Sequence, residues 1–199
     1  MDFVNRIKKE MAEGIVRALL EDAGYRVIDS GLEKVLRELS CLNETEYLNL
    51  QYPDAMRHLP DLTVMDREQT RKFLVEVKYR TKWGREVFEE VEEQAKSLGE
   101  ITLVSIYAAA PNPKELHSSP ARYLRCCGVR WHEGVYQIEL RNTMHGKERS
   151  WESFDEVEDD QWLWWAMTPL HEKFPKLMER KVDGTLLKAI ESLAGILNV

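Results

Sequence analysis

The side chains of this chain best placed to do chemistry are Asp61, Glu76 and Lys78, two carboxylates and an amine within one pair of apolar runs. Residues 58 to 65 read His-Leu-Pro-Asp-Leu-Thr-Val-Met, and residues 71 to 80 read Arg-Lys-Phe-Leu-Val-Glu-Val-Lys-Tyr-Arg. Both carry β-branched residues, and the polar stretch from Asp66 to Thr70 between them is long enough to turn the chain. With Asp66 facing Arg71 across a four-residue loop, Leu62 falls opposite Val75, Val64 opposite Phe73 and Asp61 opposite Glu76. Side-chain alternation then gathers Leu62, Val64, Phe73, Val75 and Val77 on an apolar face, and Asp61, Glu76 and Lys78 on the other. A slip of one residue would scramble both faces.

Carboxylates about 5 Å apart at Cβ repel unless a cation lies between them. A divalent ion with oxygen ligands suits the place, and Mg²⁺ takes only one or two protein carboxylates beside water and phosphate. Lys78, on the same face, could hold a water molecule or take its proton for attack on phosphorus. Taken alone, the triplet is cheap. Glu179-Arg180-Lys181 repeats it, and an exposed Glu/Lys pair is ordinarily a solvated face. Pro53-Asp54 repeats the Pro-Asp pair, but Asp54 would need a different register. What sets Asp61, Glu76 and Lys78 apart is the combination of Pro-Asp, hairpin spacing and an apolar run entering the triplet.

Pro60-Asp61, fourteen intervening residues and Glu76-Val77-Lys78 together resemble the PD-(D/E)XK motif of the restriction-endonuclease-like nuclease superfamily. That superfamily includes Holliday-junction resolvases and many repair and phage-defence nucleases, and the likeness runs through residues 3 to 108. The resemblance implies an α/β fold with a restriction-endonuclease-like core: a central mixed β-sheet flanked by helices in the order α-β-β-β-α-β, here with a helical C-terminal extension. It implies Mg²⁺ or Mn²⁺ held by Asp61, Glu76 and the carbonyl of Val77. A glutamate of the first helix often completes the metal shell in the family. Glu13 is the position carried over, reaching the ion through water or binding a second one, with Glu10 one turn earlier as runner-up. Gln94, on the helix after the triplet, corresponds to a glutamine that several subfamilies place near the site. The tyrosine that often follows it is replaced by Leu98. The implied activity is hydrolysis of DNA phosphodiester bonds to leave a 5′-phosphate, with Lys78 orienting the attacking water or accepting its proton.

The elements that must position these groups are legible around them. Phe3, Ile7, Met11, Ile15, Val16, Leu19 and Leu20 recur at helical spacing, with Asp2 as N-cap and Gly24 as a stop. Glu13 leans toward the buried side of that helix, where an acid wants a partner. Tyr25 to Ile28 predicts the first core strand. An insertion follows at residues 31 to 57, with Leu32, Val35, Leu36 and Leu39 suggesting one short helix, and Tyr47, Leu48 and Leu50 a second or a flap. Past the triplet, Tyr79 to Arg85 is basic and aromatic, fit either to contact a phosphate backbone or to serve as a simple strand-to-helix loop. Residues 85 to 98 predict a helix with Val87, Val91, Ala95 and Leu98 inward, ended by Gly99. Ile101 to Ala108 reads as a strand buried on both faces. Tyr123 to Val129 and Val135 to Leu140 read as two more, extending the sheet at one edge.

The organisation read from this is a core over residues 1 to 145 and a helical, Trp-rich region over 146 to 199 packed on it. In the latter, Trp151, Phe154, Trp162 and Trp165 fall near helical spacing, and Leu186, Leu187, Ile190, Leu193 and Leu197 form a final amphipathic helix. Tryptophans at that spacing are more often core than partner surface. No run approaches the length of a membrane span and no signal-peptide core begins the chain, so a cytoplasmic protein is expected. The three cysteines lack metal-site spacing and the five histidines form no zinc motif. No Gly-rich phosphate loop or serine nucleophile elbow is present.

The net charge of −7 opposes DNA as partner. The acids, however, concentrate in Glu86 to Glu93 and Glu152 to Asp160, while Arg67, Arg71, Lys72, Lys78, Arg80, Lys82 and Arg85 surround the proposed site, and the local field steers a polyanion. Two other functions stay open: a catalytically silent adaptor of the same fold, using the Trp-rich region to bind a protein partner, and DNA binding without cleavage. Homodimerisation is open as well.

Overall fold

Seven strands join one mixed sheet in the order in which they occur in the chain: β1 (Arg26–Asp29), β2 (Leu62–Met65), β3 (Lys72–Arg80), β4 (Glu100–Tyr107), β5 (Leu124–His132), β6 (Val135–Arg141) and β7 (Arg149–Ser153). The computed structural model describes residues 3–35, 42, 44–53, 56, 58–107, 122–141, 148–159 and 162–197. Every neighbouring pair in the sheet is antiparallel except β3 and β4, which run parallel. A parallel pair needs a crossover, and α4 (Glu86–Glu89) and α5 (Glu92–Leu98) supply it. The other α-helices among the described residues are α1 (Phe3–Asp22), α2 (Leu32–Val35), α3 (Glu44–Asn49), α6 (Leu163–Ala166), α7 (Leu170–Lys173), α8 (Leu177–Val182) and α9 (Thr185–Leu197). The chain is therefore α/β, a mixed sheet flanked by helices.

The β2–β3 hairpin has the register read from its sequence, with Leu62 opposite Val75 and Val64 opposite Phe73. The turn is held by Asp66, whose Oδ1 accepts the backbone N–H of Thr70 at 2.7 Å and of Arg71 at 3.2 Å. The apolar face of the hairpin lies in a core with Val16, Leu19 and Leu20 of α1, with Phe174 just after α7, and with Leu177, Leu186 and Ile190 of α8 and α9. The opposite face of the sheet carries Leu103, Cys127, Val129 and Ile138, covered by Val87, Phe88, Val91, Ala95 and Trp164. A sheet covered on both sides explains why β4 is apolar along nearly its whole length.

Helix α1 stops where the sequence says it should. Gly24 takes φ +85°, its N–H reaches Glu21 O at 2.9 Å, and the Tyr25 N–H reaches Leu20 O at 3.0 Å, a Schellman closure that turns the chain directly into β1. The β5–β6 turn likewise uses two residues of positive φ, Glu133 (51°) and Gly134 (80°), which suit the twist of a two-residue hairpin.

Two expectations need correction. The helix expected over residues 85 to 98 is two short helices, broken at Glu90 and Val91 where φ at Val91 is −110°. The region after residue 146 is not wholly helical: Arg149–Ser153 is β7, so Trp151 belongs to a strand opposite Glu139 rather than to a helix with Phe154. There its ring covers Gly128, where a Cβ would meet it at 2.6 Å, and the guanidinium of Arg130 stacks on it at 4.1 Å. Short β8 (Thr168–Pro169) also pairs with β5. The tryptophans divide in consequence: Trp164 is buried, while Trp162 is 53% exposed. Leu36, Leu39 and Asp54 lie outside the described residues. Among the described residues, no helix is long and apolar enough to cross a membrane.

Candidate active site

Strand β3 alternates three charged side chains, Glu76, Lys78 and Arg80, along the face that looks toward α5. The crossover answers them with two residues four apart, Glu90 and Gln94. Gln94 donates from Nε2 to Glu76 Oε2 at 3.0 Å, and Lys78 Nζ meets Glu76 Oε1 at 2.8 Å. Glu90 Oε2 lies 3.8 Å from Lys78 Nζ, and its Oε1 pairs with Arg80 Nη2. Glu76 is only 5% exposed, so each of its oxygens carries a donor in place of lost water, as a buried charge requires.

Asp61 stands one step beyond the last β2–β3 pair. Instead of extending the ladder, its Oδ2 accepts the Val77 N–H at 2.8 Å, while its own carbonyl accepts Ser30 N–H at 3.0 Å. In an extended strand N–H and C=O of one residue leave on the same side, so the Val77 carbonyl points toward Asp61 too. The Asp61 carboxyl is pushed up to about 8, first by burial and then by the negative charges of Glu76 and Glu13.

Of the two first-helix candidates, Glu13 is the buried one, 4% exposed, whereas Glu10 faces solvent. Lys34 of α2 reaches Glu13 Oε2 at 3.3 Å and Lys9 lies 3.7 Å from Oε1. Burial raises the Glu13 carboxyl, with the two lysines opposing and Glu76 adding to the rise. The amphipathic reading of α1 thus placed Glu13 on the correct side, and its partners came from one helical turn back and from the insertion.

These groups feel one another, yet no three Asp, Glu, His or Cys side chains among the described residues lie close enough together to hold a metal ion by themselves. The chemistry of the donor set nevertheless suits a hard divalent cation. Three carboxylates influence one another, burial and the negative charges of Glu76 and Glu13 push the Asp61 carboxyl up to about 8, and Glu13 Oε1 is buried without a hydrogen bond. Asp61, Glu76 and the Val77 carbonyl are the ligands this geometry offers, with Glu13 behind them.

The basic surround is smaller than the sequence suggested. Arg67 and Arg71 flank the hairpin turn and Lys72 enters β3 four residues before Glu76, about 13 Å away along a strand. Arg85 turns from the site: its Nη1 donates to Val157 O at 2.9 Å and its guanidinium sits 4.0 Å over Phe154. Trp83 packs edge-on against Phe88 and Trp164, so the aromatic part of the loop after β3 is core. Lys9, Lys34 and Glu90 were missed by sequence reasoning, although Lys9–Glu13 is an i,i+4 pair on one helix.

Comparison with protein-family models, with curated proteins and with solved structures returned no match. The geometry must carry the assignment.

Proposed function

We propose that this chain is a metal-dependent nuclease of the PD-(D/E)XK type, with a restriction-endonuclease-like core, that hydrolyses DNA phosphodiester bonds. The observation that carries this reading is the β2–β3 register, which brings Asp61 to the Val77 N–H and, one residue either side, puts Glu76 and Lys78 2.8 Å apart on β3. Asp61, Glu76 and the Val77 carbonyl would hold Mg²⁺ or Mn²⁺, with Glu13 supporting the shell. When bound, the ion supplies Lewis-acid stabilisation of the charge that develops on the phosphoryl oxygens. Lys78 would orient the attacking water or accept its proton, and its 2.8 Å ion pair with Glu76 holds it beside the carboxylates. Gln94, by its hydrogen bond to Oε2, fixes the rotamer of Glu76.

The test is incubation of the purified chain with plasmid, linear duplex, single-stranded and branched DNA in Mg²⁺ and in Mn²⁺. Glu76→Ala and Lys78→Ala should abolish cleavage while circular dichroism and melting stay near those of the parent. Equal cleavage by the variants would sink the assignment.

A catalytically silent adaptor of the same architecture is favoured by one observation, the lack of a preformed three-ligand cluster among the described residues. Calorimetric titration separates the two: no Mg²⁺ or Mn²⁺ binding at millimolar concentration favours the adaptor.

A further inference from the structure

The geometry points to a phosphate seat made by Lys78 and Arg80, beside the carboxylates and filled in the free protein by the carboxylate of Glu90. The inference rests on the nuclease reading for its ligand, a backbone phosphodiester of the bound nucleic acid. Lys78 and Arg80 occupy alternate positions of β3, so they share a face with their Cα atoms about 6.6 Å apart. Glu90 bridges them with its two oxygens, Oε1 on Arg80 and Oε2 on Lys78. A carboxylate doing this presents what a phosphodiester presents: one negative charge spread over two terminal oxygens, one hydrogen-bonded to a planar guanidinium and the other ion-paired with an ammonium.

Two features suit the seat to exchange. Arg80 is anchored independently, its Nη1 donating to the Tyr79 carbonyl at 2.8 Å, so the guanidinium stays in place when Glu90 leaves. The Glu90 side chain is 43% exposed and sits at the break between α4 and α5. An ion pair that exposed holds weakly, whereas a polyanion arrives with the added drive of counterion release. Three neighbouring acids are engaged elsewhere, Glu89 with Arg85 and Glu92 and Glu93 with Lys96. Glu90 alone among these four turns onto the basic pair. An acidic chain can in this way keep a basic seat next to its site: the nearby acid guards it until a stronger anion replaces it.

The test measures binding without metal, by fluorescence anisotropy of a labelled DNA hairpin with a single-stranded tail in EDTA, using the full chain. Glu90→Gln should tighten binding about ten-fold, the effect of one freed charge-assisted contact. It should also steepen the salt dependence by about 0.9 per phosphate newly engaged. Glu90→Ser repeats the test with a shorter neutral side chain. Glu93→Gln, which removes an acid of the same helix pair that bonds Lys96 rather than the basic pair, should change affinity less than about two-fold. Adding Arg80→Gln to Glu90→Gln should cancel the gain. No tightening by either Glu90 variant, including no binding by any of the proteins, overturns the seat, as does a gain that survives Arg80→Gln. Absence of Mg²⁺-dependent cleavage would count against the nuclease reading while leaving this binding result intact. Conversely, cleavage by the parent with unchanged Glu90→Gln affinity would remove the seat alone.

Discussion

The carboxylate of Asp61 takes the main-chain N–H of Val77 at 2.8 Å, at the point where the β2–β3 ladder ends. The bond favours the charged carboxylate, but burial and the charges of Glu76 and Glu13 outweigh it, and the group is pushed from 3.8 up to about 8. Folding therefore binds a proton that the unfolded chain has released over that interval. The stabilisation is complete below about pH 4 and is lost as pH rises through about 8.

One expected outcome follows for melting. Without metal, the difference in Tm between Asp61→Asn and the parent should grow from pH 5.5 to pH 8.5, with the variant the more stable by about 5 °C at the upper end. Mn²⁺ should raise the parent's Tm more at pH 8.5 than at pH 6, because metal and proton compete for Asp61, and should leave Asp61→Asn nearly unchanged. Differential scanning fluorimetry reads both. A pH-independent difference would remove the burial argument.

Gln94 tests whether orientation of Glu76 matters apart from charge. Gln94→Ala leaves Oε2 of a buried carboxylate without its donor and should lower the cleavage rate about 10- to 100-fold, as loss of a ligand-orienting partner does. Gln94→Glu should lower it further by setting like charges face to face. Single-turnover rates at saturating DNA are the measure, and unchanged rates for both variants would make Gln94 a bystander.

Glu13 and Glu10 separate by burial, so they should separate by function. Glu13→Gln should weaken Mn²⁺ binding about ten-fold in calorimetry, whereas Glu10→Gln should match the parent. Equal losses would point to a general field effect, and a loss confined to Glu10→Gln would reverse the choice made here.

Phe174 ties the C-terminal helices to the hairpin and to the start of β1: its ring meets Phe73 at 5.0 Å and Tyr25 at 5.5 Å, and it is fully buried. Phe174→Ala should cost about 3–5 kcal/mol in denaturant unfolding. A chain cut at residue 145 should fail to give one cooperative transition. A cooperative fragment would show that the C-terminal region is an independent unit.

How far the sequence disclosed all this depended on the range of the interaction. The hairpin was legible because a period of two and a short turn fix register locally, and Glu13 because helical spacing decides which side of α1 it faces. The break at Glu90 was not, since Glu, Val and Glu are all acceptable in a continuous helix; the chain bends there to fit the crossover between β3 and β4. Trp151 misled for a similar reason. Its spacing from Phe154 and Trp162 fits a helix, but the open edge of β6 claimed the segment as a strand. Lys34 came from a segment whose sequence says nothing of α1, so its pairing with Glu13 exists only in three dimensions.

Strand β5 changes partner part-way along: Arg125 and Cys126 pair with Pro169 and Thr168, while Val129 to His132 pair with β6. The second half finds its neighbour within a few residues of synthesis, across the Glu133-Gly134 turn. The first half waits some forty residues for β8 to emerge, and for that interval a nascent chain presents bare amides and carbonyls on one side of a strand that is buried in the finished fold. The closing stitch of two residues is thus set by the order of translation as well as by energy. Pauses or truncations before Thr168 would leave a sheet that can still recruit a foreign strand.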